Sequence, residues 1–444
     1  MKFTGPGWLM SIAYIDPGNL EADLQSGALF GYTLLWALLL ATTMGLGMQL
    51  IAARLGCATR RHLAEHCQEH YPFQIRVFLW VTTECAIIGS DIQEVIGSSI
   101  GIKLLFGLPI PVGVVITAVT AFGFLFLERL GTRPLELFFA VLILVLAASM
   151  GGLFSVIKPE PAEMLRGLTI PRMPPSAVKQ VVGMLGCVIM PHNLFLHSAL
   201  VQSRVVPTGE EANAIFFFTI ESTAAIFMSL LINMSVVAVF SKGFYGSPAA
   251  SDLGLGSAGH YLGDQYGDYM RVIWALGLCA AGQSSTMTGA YAGQWVMQGY
   301  LQLKVSSWKR AIITRSMALC PTLLVAFYFG GGGNDGLDAF NEFLNLVQAV
   351  VLPFAVVPLL IFGGSRTIMG GLALSRGAMA VGWTCAILIM AANVYMVLVE
   401  LDIGAGKIAA GDSRTLCVLG GVLLYLSAVL YVAWVPRSAW SSYS

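Results

Sequence analysis

Apolar runs long enough to cross a bilayer, separated by short polar connections, fill this chain of 444 residues from end to end. A span needs about 20 apolar residues. The hydropathy predicts twelve helices, at about 7–30, 34–56, 74–102, 109–127, 136–157, 180–202, 214–241, 271–299, 309–329, 341–363, 378–400 and 415–435. The longest connections, about 57–73, 158–179 and 242–270, are expected to be loops or short surface helices. No water-soluble domain stands apart, and 1–444 reads as a single transmembrane domain.

Two of the runs are interrupted. Asp16-Pro17-Gly18-Asn19 breaks the first and Met190-Pro191-His192-Asn193 breaks the sixth. An odd number of spans per repeat turns a second copy upside down. Residues 1–157 and 180–363 would then be inverted five-helix repeats, with 378–435 adding helices 11 and 12. Paired breaks in corresponding places of two halves point to a midplane substrate site in a secondary transporter.

Composition sharpens the class. Hydrophobic residues make up 57% and charged residues 11%, where a soluble domain carries about a quarter charged. The fold class is an all-α polytopic membrane protein with the lipid bilayer as its solvent. Zero net charge argues against nucleic acid as a partner. The eight cysteines, among them Cys85, Cys187, Cys279, Cys320 and Cys385, sit mostly in apolar runs and form no disulfide or zinc pattern. No A-x-A-like cleavage site follows the first run, so no cleavable signal peptide is expected. With a cytosolic N-terminus, roughly fourteen basic residues, among them Lys2, Arg54, Arg60, Arg61, Arg76, Arg129, Lys304, Arg366 and Arg376, face inside against about nine outside. Both termini are therefore expected in the cytosol, in the plasma membrane or an endosomal or lysosomal membrane.

The breaks suggest a cation site. Pro17 and Pro191 each remove a backbone donor, and Gly18 is permissive, so both helices can unwind there. Unwinding frees carbonyl oxygens, which hydrocarbon does not tolerate but a bound cation does. The expected carbonyl donors are those of Ala13 and Cys187, a turn before each break. Asp16 adds a carboxylate, Asn19 an amide oxygen and Met190 a thioether. Oxygen alone suits Mg²⁺, Ca²⁺ or Na⁺, whereas sulfur helps Mn²⁺, Fe²⁺, Co²⁺ or Cd²⁺. The competing reading is a pair of proline kinks with a methionine as packing filler. A mid-span aspartate costs about 3 kcal/mol, which weighs for a bound ion.

Helix 3 carries Glu84, Asp91 and Glu94 within an arc of about 80°. Three acids on one buried face suit a proton relay, or else brace the bundle by hydrogen bonds. His192 is either a proton carrier or a satisfied buried histidine. Arg315 in helix 9 would pair with such acids or serve as a fixed structural cation. In helix 10, Asn345 and Gln348 share a face. They either complete the ion's shell or link helices.

Other signals weigh less. His62, His66 and His70 recur every four residues but lie among Arg60, Arg61, Glu65 and Glu69, and are expected on a solvated amphipathic face. Gly330–Gly333 lacks a following Lys-Ser/Thr and is expected to be a tight external loop. His192 and His197 make no zinc-protease motif. The Asn233-Met-Ser235 sequon falls inside helix 7, where no glycan can attach.

At these residues the chain resembles the NRAMP family of proton-coupled divalent-metal transporters, which have the LeuT-type inverted-repeat fold. The resemblance covers nearly the whole length. It rests on Gly5-Pro-Gly-Trp-Leu-Met-Ser-Ile-Ala13, on residues 16–19, on Gly89-Ser-Asp91-Ile-Gln-Glu94-Val-Ile-Gly97 and on Met190-Pro-His-Asn-Leu-Phe-Leu-His-Ser-Ala199. It continues with Gly282-Gln-Ser-Ser-Thr286 through Ala292-Gly-Gln294-Trp-Val-Met297. It implies that Asp16, Asn19 and Met190 are metal ligands, with backbone help from positions 13 and 187. It also implies that Asp91, Glu94, His192 and Arg315 lie along a proton route. Cys187 departs from a frequent alanine, and Asn345 stands where many bacterial members have glutamine. The magnesium-transporting relatives lack the Met and Asn ligands that are present here. The expectation is a proton-coupled importer of Mn²⁺ and Fe²⁺, not an enzyme, with no cofactor. The alternatives are a magnesium or broad divalent-cation carrier of the same fold and, from another class, a membrane receptor or scaffold.

Overall fold

The computed structural model describes residues 5–12, 14–128, 132–302, 307–329, 335–400 and 413–440. Ala13, Lys2, Arg129, Lys304 and Gly330–Gly333 lie outside the described residues. The described chain is helical throughout, and no strand occurs among the described residues. In order the helices are α1 (Pro6–Ile12), α2 (Pro17–Phe30), α3 (Leu35–Thr59), α4 (Leu63–His70), α5 (Phe73–Phe106), α6 (Ile110–Glu128) and α7 (Thr132–Ile157). Then come α8 (Pro161–Thr169), α9 (Val178–Val188), α10 (Pro191–Leu200), α11 (Glu211–Phe244), α12 (Leu255–Tyr266) and α13 (Asp268–Leu301). The last are α14 (Ser307–Phe329), α15 (Asp335–Val351), α16 (Pro353–Gly364), α17 (Arg366–Met369), α18 (Arg376–Glu400) and α19 (Ser413–Trp440).

Each apolar run of the sequence coincides with one helix or with a broken pair. Helices 1 and 6 are the pairs α1–α2 and α9–α10. Helix 10 is α15–α16, which stays helical through Leu352 (φ −54°, ψ −42°), with Pro353 at its second start. Seven described stretches are apolar and long enough to cross a bilayer, or eight if α5 and the first part of α6, bent by 115° at their junction, are taken together. The expected count of twelve thus goes beyond what length and apolarity establish. α13, for one, is long but interrupted by Gln283, Ser284, Ser285 and Thr286.

Proline sets the helix starts. Pro17, Pro161, Pro191 and Pro353 occupy first-turn positions, where a missing N–H costs nothing. Gly107 closes α5 in the left-handed region (φ 70°), its N–H bonded to the Lys103 carbonyl. α13 lies along α5 and α7, and α11 lies along α2, α3 and α1. Two apolar cores result. One joins α3, α10, α16, α18 and α19, and the other joins α2, α5, α7, α11 and α13. α7, α18 and α19 are the least covered, with only 28%, 28% and 17% of their apolar windows buried. Leu424, Leu430 and Val381 stand exposed on the last two, an outer surface that hydrocarbon satisfies and water does not.

Two connections depart from the expected surface position. α12 buries Leu255, Ala258 and Leu262, and the Trp274 indole donates to the Leu255 carbonyl at 2.9 Å. α4 buries Leu63, Ala64, His66 and Cys67. His62 and His66, expected to be solvated, are 2% and 3% exposed. His62 sits edge-on to Trp295 of α13, and His66 packs against Phe362 of α16. Local charge density had pointed to solvent, but the apolar face of α4 is consumed by α13 and α16.

Candidate metal centre

The two breaks face each other. Between α1 and α2 the chain leaves helical geometry at Tyr14, Ile15 and Asp16. Asp16 (φ −75°, ψ 168°) caps α2. Its Oδ1 accepts the Asn19 N–H at 2.8 Å and the Asn19 side-chain amide at 2.7 Å. Between α9 and α10 the chain leaves helical geometry at Ile189 and Met190, and the extended Met190 (φ −61°, ψ 127°) precedes Pro191. The Asn19 amide also reaches across the gap to the Cys187 carbonyl at 3.1 Å. One side chain therefore ties the two broken spans together.

Asp16, Asn19, Cys187 and Met190 are at most 2% exposed. Two oxygens in this group are buried with no hydrogen-bond partner among the described residues: Asp16 Oδ2 and Asn19 Oδ1. Two unpaired buried acceptors, one of them on a carboxylate, are costly unless something positive meets them. The C-terminal ends of α1 and α9, where carbonyls accumulate and the helix dipole is negative, lead into the same gap. The donor set is a carboxylate, an amide oxygen, helix-end carbonyls and the Met190 thioether, which fits a partly soft divalent cation. The Cys187 thiol donates back to the Met184 carbonyl at 3.4 Å, so this residue meets the gap through its carbonyl. The second expected carbonyl, that of Ala13, lies outside the described residues.

The helix-10 pair separates on inspection. Gln93 of α5 donates to Asn345 Oδ1 at 2.7 Å and to the Asn341 carbonyl at 3.0 Å, and accepts from Gln348 Nε2 at 2.8 Å. Asn345 Nδ2 donates to the Gly18 carbonyl at 3.3 Å. Asn345 thus spends its oxygen on Gln93 and holds the first break. Gln348 Oε1 is buried with no partner among the described residues. Sequence reasoning gave Gln93 no role. Its only signal was a polar amide inside an apolar span, on the helix that carries the acids. Glu21 and Asp23, buried in α2 one and two turns beyond Asp16, were also passed over. Glu21 accepts from Gln25 and from the Leu255 N–H at the start of α12.

Glu84, Asp91 and Glu94 all lie buried in α5. Asp91 and Glu94 face Gly289 of α13, where an added Cβ would stand 2.5 Å from Asp91 Oδ1 and 3.6 Å from Glu94 Oε1. Ser90 donates to Glu94 at 3.0 Å and the Trp80 indole donates to Glu84 at 2.9 Å. His192 is buried in the first turn of α10, its Nδ1 without a hydrogen-bond partner among the described residues. His197 is a structural histidine, 2.9 Å from Gln49 Oε1 of α3. Arg315 falls within α14, and its side chain lies outside the described residues. The sequon residue Asn233 donates from α11 to the Tyr14 carbonyl at 2.8 Å, bracing the unwound segment.

The natural resistance-associated macrophage protein-like (Nramp) family model matches residues 7–399. The chain belongs to this family. It is 48% identical over 438 residues to metal transporter Nramp3.2 of Populus trichocarpa, covering 97% of this chain and 86% of the relative. It is 48% identical over 453 residues to metal transporter Nramp3 of Arabidopsis thaliana, covering 99% and 89%. Crystal structures of the Eremococcus coleocola manganese transporter superpose with a TM-score of 0.87 at 26% identity, over 98% of this chain and 95% of that one. Mhp1, a nucleobase-cation-symport-1 family transporter in a closed conformation, shares the fold at a TM-score of 0.58 and 14% identity, over 97% and 92%. The fold is thus the LeuT-type transporter architecture that the family resemblance implied, and this Nramp protein is a membrane metal transporter rather than an enzyme.

Proposed function

We propose that this Nramp protein imports Mn²⁺ and Fe²⁺, with Cd²⁺ and Co²⁺ as further cargo, into the cytosol by alternating access coupled to proton entry. The observation that carries the reading is the pair of unpartnered buried oxygens, Asp16 Oδ2 and Asn19 Oδ1, at two facing helix breaks flanked by Met190. A cation in the gap satisfies both at once. The kinship to a manganese transporter supports Mn²⁺ as cargo.

Alternating access needs elements that move as units around a fixed site. The four half-helices α1, α2, α9 and α10 are such units, since each ends or begins at the breaks. Asn345 and Gln93 hold α2 from one side, and in this reading Gln348, whose Oε1 has no partner among the described residues, joins the ion's shell. Asp91, Glu94 and His192 are the proton carriers in this reading, with Glu84 further along α5 and Arg315 as their counter-charge. A magnesium or broad divalent carrier is disfavoured because a thioether contributes little to hard ions.

The test is Mn²⁺ binding by calorimetry on the purified protein, paired with uptake into proteoliposomes at two external pH values. Asp16→Ala should abolish both binding and uptake while leaving a folded protein, since it removes the one formal charge at the gap. Near-wild-type Mn²⁺ binding by Asp16→Ala would sink the assignment.

A further inference from the structure

α4 holds a group of ligating atoms that transport at the helix breaks does not use. A ring nitrogen of His66, a ring nitrogen of His70 and a carboxylate oxygen of Glu69 lie within 4.8 Å of one another. Spacings of three and four residues put the three side chains on one helix face. The two imidazoles stack with centroids 6.1 Å apart, and Phe362 backs both rings at 5.6 and 5.4 Å.

The surroundings of His66 prepare it as a ligand. Its Nε2 lies 2.9 Å from the Thr59 hydroxyl, which donates its own proton to the Leu55 carbonyl at 2.7 Å. With that proton on the Leu55 carbonyl, the hydroxyl accepts from His66 Nε2–H, the tautomer that leaves the lone pair on Nδ1. Nδ1 is buried with no hydrogen-bond partner among the described residues. An outer partner that fixes the tautomer is the usual support of a metal-binding histidine.

Glu69 is ion-paired with Arg61, both side chains about half exposed. A pair so exposed to solvent is weak and gives way readily to a divalent cation.

We propose that His66, Glu69 and His70 form a second divalent-metal site on the connection between α3 and α5, separate from the mid-membrane gap. Two imidazoles and one carboxylate leave positions open to water. This set favours Zn²⁺, Ni²⁺ and Co²⁺ over Mn²⁺ and takes Mg²⁺ or Ca²⁺ poorly. The site is one element away from the transport machinery, because the Leu63 N–H at the start of α4 donates to Ser198 of α10 at 3.0 Å.

The experiment is a Co²⁺ titration of the full-length protein in detergent, read by equilibrium dialysis and by the visible absorption that changes with imidazole ligation. Wild type should bind two equivalents and Asp16→Ala one. The half-buried His70→Gln and the exposed Glu69→Gln spare the packed His66, so folding is not at stake. Each should weaken one Co²⁺ equivalent at least about tenfold, the scale on which even outer-shell changes act, while Mn²⁺ uptake persists. If both variants bind Co²⁺ as wild type does, or if Asp16→Ala binds none, the α4 site is overturned. Two equivalents retained in Asp16→Ala, with one lost in His70→Gln, would support the α4 site and sink the mid-membrane assignment instead.

Discussion

Met190 is the residue whose chemistry separates one cargo from another. It is 2% exposed and precedes Pro191 at the second break, where its backbone is extended rather than helical. A thioether adds to the binding of soft ions and little to that of hard ones. Met190→Ala leaves room for water, itself a good ligand for hard cations. Cd²⁺ transport should therefore fall most, by about tenfold or more, and Mn²⁺ transport less. Ca²⁺ or Mg²⁺ should begin to compete with Mn²⁺ uptake. Competition assays in proteoliposomes check this, and unchanged competition by both hard ions would mean that Met190 only packs. Asn19 acts differently at the same scale. Its amide N–H group holds Asp16 and the Cys187 carbonyl, which turns its oxygen loose for a ligand.

Among the elements, the half-helices matter through how closely they approach. Gly186 of α9 faces the Asn345 carbonyl of α15, and a Cβ there would stand 2.2 Å from that oxygen. Gly56 of α3 faces the Ser198 carbonyl of α10, at 2.0 Å by the same measure. Small residues let membrane helices pack backbone to backbone. Gly186→Val would push α15 away and take Asn345 off Gly18. The expected cost is about 1–3 kcal/mol of stability from overpacking, together with a loss of Mn²⁺ uptake larger than the loss of folded protein. Thermal unfolding in detergent and uptake per folded molecule separate the two effects. Gly47, whose added Cβ would meet nothing within 4 Å, is the control position, and Gly47→Val should change neither. α11 is the counterpart scaffold. Asn233 and Ser229 hold the carbonyls of Tyr14 and Ser11, and Glu221 receives the N–H groups of Gly5 and Trp8.

For the whole molecule, the question is how metal and proton movements are joined. Asp91 and Glu94 of α5 share the α5–α13 interface at Gly289, while the metal gap lies between α1–α2 and α9–α10. Gln93, on the same helix as the acids, links α5 to α15 and through Asn345 to the first break. Coupling through one rigid helix with contacts at both places is the physical route this arrangement offers. If Glu94 carries protons, Glu94→Gln should keep some Mn²⁺ uptake but lose the accompanying acidification of proteoliposomes. A pH-sensitive dye read beside metal uptake measures the ratio. Proton flux per metal equal to wild type would leave Glu94 with a bracing role, held by Ser90, and move the relay to Asp91 and His192.

The membrane class, the two breaks and the chemistry of Asp16, Asn19 and Met190 were legible in the sequence because each is a local property. Apolar run length, proline in mid-span and a costly buried charge need no knowledge of neighbours. The shared face of Glu84, Asp91 and Glu94 was legible for the same reason, since helical periodicity alone places them. Tertiary structure decided what depends on partners distant in the chain. Asn345 and Gln348 looked alike by spacing. Only the position of Gln93, more than 250 residues away, occupies one oxygen and leaves the other unpaired. His62 and His66 looked solvated because charge surrounds them in sequence, yet α13 and α16 bury them. Burial is a property of what packs against a face, and that is not written in the face itself.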